Sequence, residues 1–192
     1  MVISFDEEDR QGVLYPHDDA LVITLVIANY TTRQVLVDNG SFANILFWEA
    51  FVKIGIDVDK LRLSPTPLKG FSGDTIQPIE AITLPVTVGT GTRTTTTMTV
   101  FLVVKAPSSY NAILGRSTLN HLRAVTSNYH LKMKFPTNGG VGEARGEQAL
   151  AWECYIQELR KVKNEVCVVA NEASPPHPPP KAMVRRRHRG QG

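Results

Sequence analysis

The chain has 192 residues, 42% of them apolar, with seven Phe, five Tyr and two Trp. That suits one domain with tails and is too apolar for a wholly disordered chain. The net charge of +3 sits at the C-terminus: residues 174–192 (SPPHPPPKAMVRRRHRGQG) hold Lys181, Arg185, Arg186, Arg187 and Arg189 and no acid, leaving 16 basic against 18 acidic residues elsewhere.

A near-neutral body argues against a fold built around nucleic acid. Two cysteines, Cys154 and Cys167, without CxxC spacing, argue against a disulfide scaffold and a zinc ribbon. The longest apolar run, residues 20–28, has nine residues, whereas a membrane span needs about 20. The acidic start, MVISFDEEDR, lacks the basic region of a signal peptide. These features predict an intracellular, cytoplasmic protein without a membrane partner.

In chain order, residues 1–17 read as an acidic linker, with the run Asp6-Glu7-Glu8-Asp9. Residues 18–137 are dense in Val, Ile, Leu and Thr and read as the folded domain. Within it, residues 20–29 and 34–38 predict two strands, with Tyr30-Thr31-Thr32-Arg33 as the hairpin turn. Residues 43–54 (ANILFWEAFVKI) have helical spacing and stop at Gly55. Residues 82–88 and 95–105 predict two more strands joined by Gly89-Thr90-Gly91-Thr92, and Pro85 suggests an edge or a bulge. Residues 117–125 predict a helix capped by Ser117, and residues 131–135 (LKMKF) a late strand. Residues 138–173 read as a Gly-rich linker and then a helix from Gln148 to Val162. The Pro/Arg-rich residues 174–192 read as a disordered tail. Many short strands with one or two short helices predict an all-β, closed barrel.

The stretch with most chemistry is Val35-Leu36-Val37-Asp38-Asn39-Gly40-Ser41, an apolar strand ending in a carboxylate and a small loop. Asn-Gly after a strand is also a strong hairpin signal, which would leave Asp38 as a turn flank. About 75 residues later a second apolar strand ends as Ile113-Leu114-Gly115-Arg116. Together, VLVDNGSFANILF (35–47), PTPLKGFSGDTIQP (65–78), residues 100–137 and the lead-in PHDDALVITLVIANY (16–30) resemble the retropepsin-like aspartic proteases, specifically the protease region of plant gypsy-type retrotransposon gag-pol polyproteins.

The resemblance implies an acid-protease barrel and an aspartic endopeptidase acting on a peptide or polyprotein. Two aspartates share a proton and activate water, so no metal or organic cofactor is expected. It makes Asp38 catalytic, with Asn39, Gly40 and Ser41 shaping the active-site loop. Gly70, Phe71, Ser72 and Gly73 become the flap, and Ile113, Leu114 and Gly115 the strand crossing behind the loop. One such loop per chain implies a homodimer. Asn39 departs from the family's usual Thr or Ser, and Asn44 from a common acidic residue. The alternative is therefore a non-catalytic interaction module with a basic tail, to which nucleic acid would bind only weakly.

Other patterns miss their spacing. Gly70-Phe71-Ser72-Gly73 is one residue short of a serine-hydrolase elbow, and Gly140-Val141-Gly142 with Gly146 fails the dinucleotide fingerprint. Tyr15-Pro16-His17-Asp18-Asp19 has a residue too many for a polymerase signature, the five histidines are scattered, and no zinc knuckle is present.

Overall fold

The computed structural model of the chain describes residues 1–63, 67–69, 73 and 75–169, with backbone alone for 161–169. The strands are β1 (Val22–Ile27), β2 (Tyr30–Val37), β3 (Asn44–Phe47), β4 (Leu68–Lys69), β5 (Thr75–Ile76), β6 (Glu80–Thr90), β7 (Arg93–Val104), β8 (Ala112–Leu114), β9 (Val125–Ser127), β10 (Lys132–Thr137) and β11 (Gly140–Arg145). The helices are α1 (Trp48–Ile54), α2 (Arg116–His121) and α3 (Gln148–Val169). Among the described residues, no helix is long and apolar enough to cross a membrane.

Six strands close a barrel in the order β1-β2-β8-β3-β7-β6. The pairs β2–β8 and β3–β7 are parallel and the others antiparallel. Alternation explains what fills it. Along β6, Ile82, Leu84, Val86 and Val88 point inward, and along β7, Phe101 and Val103 do so. Ile23, Ile27, Val35, Leu46, Ala112 and Leu114 complete the same core. The hairpin β10–β11 covers the barrel and adds Met133 and Phe135 to that core.

Several local expectations are corrected. The first hairpin turns at Ala28 and Asn29, with φ of 49° and 70°, so residues 30–33 belong to β2. Positive φ at both central positions is what a type I′ two-residue hairpin turn demands. Residues 44–47 are a strand, because Asn44 and Leu46 face inward and the segment pairs with β7; the helix begins only at Trp48. It stops at Gly55 as expected, at φ 71°. Helix α2 is capped by backbone at Gly115, and Ser117 is not its cap. Pro85 lies inside the closed barrel. Its carbonyl accepts from Ala28 N at 3.0 Å, which turns its ring nitrogen toward the end of β1, where no ladder partner is needed.

The segments outside residues 18–137 also pack. Residues 7–10 form a 3-10 turn capped by the Asp6 side chain. Its Asp9 is buried and takes 2.7 Å contacts from both Lys132 Nζ and Lys134 Nζ on β10. Arg10 stacks over the rings of Tyr15 and Tyr129. The first seventeen residues, read from composition as a linker, thus lie on the fold. The Gly-rich run beyond residue 137 builds β11. A Cβ at Gly142 would stand 2.5 Å from the Phe135 ring, so glycine lets this strand lie against it. Helix α3 buries Leu150, Ala151 and Cys154, and its first turn packs on Val22, Leu36 and Tyr110. The basic tail, residues 174–192, lies outside the described residues.

Candidate active site

Asp38 stands one residue past β2. The buried Val35 and Val37 anchor that strand in the core, so its end is held by apolar packing. Strand β8 runs between β2 and β3, pairing Val37 with Leu114 and Ile45 with Ile113. The parallel ladder continues past β2, because Asp38 N donates to Leu114 O at 2.9 Å. Ala112 and Leu114 are fully buried. Ile113, Leu114 and Gly115 therefore lie directly beside the Asp38 loop.

The loop folds back on its own carboxylate. Gly40 N donates to Asp38 Oδ1 at 2.8 Å, and Ser41 Oγ donates to Asp38 Oδ2 at 2.6 Å. Both donors are neutral, and both belong to residues read from the sequence as loop-shaping. Asp38 is partly buried, while Asn39 and Gly40 are exposed. Among the described residues, no ion pair involves Asp38. The side chain of Asn39 turns to β9, where its Nδ2 donates to Thr126 Oγ1 at 2.6 Å.

Beneath the loop, glycine is required at 115. A Cβ there would lie 2.3 Å from Ala43 O and 2.9 Å from Ser41 O, inside contact distance of backbone that cannot swing away. The close approach lets Arg116 N donate to Ser41 O at 2.8 Å, so the start of α2 braces the loop. Asn44 fastens the same place. It is buried, accepts from Gly115 N at 2.9 Å, and donates to Val100 O and Ser117 Oγ at 3.0 Å each. One amide side chain thereby joins β3, β7, α2 and the Gly115 link between β8 and α2.

Of the expected flap, Gly70, Phe71 and Ser72 lie outside the described residues. On either side of them, β4 and β5 pair antiparallel, Leu68 with Ile76 and Lys69 with Thr75. Gly73 has φ 89°, in the left-handed region that glycine adopts without strain. Among the described residues, no group of three His, Cys, Asp or Glu side chains is placed to hold a metal. Two contributors to the site escaped the sequence reading. Thr126 has no local signal, since its link to Asn39 spans 87 residues. Asn44 stood out only as a departure from an acidic residue, although its place at a buried position of the strand NILF is the sign of a structural amide.

No protein-family model matches the chain, and no curated protein matches it. Solved structures do. The retroviral protease-like domain of Ddi1 from Leishmania major aligns at 14% identity and a TM-score of 0.50, over 67% of this chain and 96% of that one. The EIAV protease complexed with the inhibitor HBY-793 aligns at 23% identity and a TM-score of 0.42, over 60% and 99%. A retropepsin-like aspartic protease from Rickettsia conorii aligns at 18% and 0.41, over 64% and 80%. Identities this low speak of fold alone, and on the first of these likenesses the closed barrel of this chain is the fold of the retropepsin-like proteases.

Proposed function

We propose that the chain is an aspartic endopeptidase that works as a homodimer, with one Asp38 from each subunit at the two-fold axis. The observation that carries the reading is the Asp38 loop. A partly exposed carboxylate sits on a rigid apolar strand end, its two oxygens oriented by Gly40 N and Ser41 Oγ. Two such carboxylates brought together cannot both ionise cheaply, so they hold one proton between them. The ionised one takes a proton from water, and the protonated one gives a proton to the scissile carbonyl oxygen. The neutral donors on Asp38 suit this cycle, because a fixed cation would hold the carboxylate permanently charged. An extended peptide would lie between the loop floor and the β4–β5 hairpin, adding its backbone as a strand. The motifs at residues 35–47 and 100–137 support a retrotransposon polyprotein as source and substrate.

One observation favours a second reading, a protease-like interaction module without activity. Asn39 replaces the residue whose hydroxyl, in the family it resembles, would bond across the dimer, and here it is engaged within its own chain by Thr126. Cleavage of a mixed peptide library at mildly acidic pH, beside an Asp38→Asn control, separates the two. The peptidase reading expects cleavage that the control lacks. Intact peptides, at concentrations where sedimentation shows a dimer, establish the module instead.

A further inference from the structure

A groove of about 860 Å³ lies between the first turns of α3 and residues 14–20, and none of residues 38–41 lines it. One wall is aromatic. Gln148, Ala151, Trp152 and Tyr155 recur there at helical spacing. Trp152 and Tyr155 are 58% and 53% exposed, with ring centroids 5.9 Å apart, and Tyr110 also lines the groove. The other wall carries Asp18 and Asp19. Asp19 is engaged within the fold: it accepts from Gln148 Nε2 at 2.8 Å, and His17 Nδ1 stands 3.8 Å away. Asp18 is exposed, and among the described residues no side chain pairs with its carboxylate. Nor, among those residues, does any Lys or Arg line the groove.

The acidic wall also has unpaired main chain. Residues 17–20 form neither helix nor turn on their way to β1. Among the described residues, the N–H and C=O groups of His17, Asp18 and Ala20 make no main-chain hydrogen bond. Free donors and acceptors beside a groove are what an extended peptide pairs with. Exposed aromatic faces attract cations, and a planar guanidinium stacks on them best.

We propose that the groove binds an extended, arginine-bearing peptide segment of another protein. The guanidinium lies on Trp152 and Tyr155 with Asp18 as its counter-charge, and the peptide main chain pairs with residues 17–20. Charge complementarity selects this occupant. Two carboxylates without a lysine or arginine repel an acidic peptide, and an apolar one would cover Asp18 and return nothing for the lost hydration. A small free cation would leave the main chain of residues 17–20 unused. The inference does not rest on Asp38 being catalytic.

The test uses the full chain and three end-blocked hexapeptides: threonine alternating with arginine, threonine alternating with glutamate, and the arginine peptide with every main-chain amide N-methylated. The two Trp indole N–H signals are followed by NMR at neutral pH, and Trp152→Phe assigns them. The arginine peptide is expected to move the Trp152 signal saturably and to leave Trp48 in place, while the other two peptides move neither. Its Kd is expected to rise about fivefold in Asp18→Asn and about threefold in Tyr155→Ala, exposed positions outside the core. A Trp152 signal that stays in place, or that answers either control peptide as strongly, overturns the proposal. So does a Kd unchanged in both variants, which would put the peptide elsewhere on the chain. A Trp152 signal that moves on tenfold dilution of the chain alone also overturns it and assigns the groove to a second copy.

Discussion

Two aspartates of this chain have opposite surroundings. Asp9 is buried against Lys132 and Lys134, each 2.7 Å away, and Lys132 also reaches Glu143 at 3.1 Å. Burial alone would raise its carboxyl, but the hydrogen bonds from the two lysines and from Asp6 N outweigh this and pull it well below the ordinary 3.8. Lys132 answers in the other sense: burial would lower it, and its bonds to Asp9 and Glu143 raise it instead. Such a carboxylate is a fixed anion that ties the N-terminal segment to β10. Among the described residues, Asp38 is held only by an amide and a hydroxyl of its own loop. The difference separates two ways of holding a carboxylate: Asp9 is neutralised by cations, while Asp38, the residue the proposed function needs, is oriented by neutral donors and stays partly exposed.

The largest effect expected on that contrast comes from Asp9→Asn. It leaves the buried Lys132 with Glu143 as its remaining carboxylate partner and should cost about 3 kcal/mol in urea unfolding at neutral pH, while any cleavage by the surviving folded fraction persists. Acid should act through the same residue. A folded value below the ordinary one stabilises at any pH above about 4, and the contribution is lost as pH falls below that. Stability of the native chain should therefore decline below about pH 4, and less steeply in Asp9→Asn. Little dependence on pH there would show that the lysine pair does not hold Asp9.

Gly115→Ala comes next. The added methyl has only the carbonyls of Ala43 and Ser41 to displace, so about 3 kcal/mol of stability should go, and cleavage with it. Asn44→Ala leaves Gly115 N and Val100 O without their side-chain partner and should cost about 2 kcal/mol. The smallest effect belongs to Thr126→Val, about 1 kcal/mol or less, since the bond to Asn39 is exposed. In that variant cleavage should fall more than stability does. Equal falls in both would place Thr126 with the structural group around Asp9.

Much of the Asp38 region could be read from local sequence. A strand ending in Asp-Asn-Gly and a second ending in Ile-Leu-Gly carry their burial and turn chemistry within a few residues, and in the fold β8 pairs with β2 next to the loop. The Asp9 region could not be read so. An acidic run looks like a solvated linker until Lys132 and Lys134, 123 and 125 residues away, are brought to it. The same blindness to distant pairing assigned Asn44 and Leu46 to a helix, because only the ladder to β7 makes them strand. Ala28 and Asn29 were passed over for the opposite reason: alanine seldom takes positive φ, and here the barrel's register imposes it.

The most direct test of the shared dyad is a mixing experiment. Native chain and Asp38→Asn chain are combined in rising proportions at constant total concentration, with time for subunits to exchange, and peptide cleavage is measured. If each site needs Asp38 from both subunits, activity follows the square of the native fraction, and an equal mixture retains about a quarter of the native rate. An equal mixture retaining half the native rate would show that one Asp38 acts alone and would contradict the dyad.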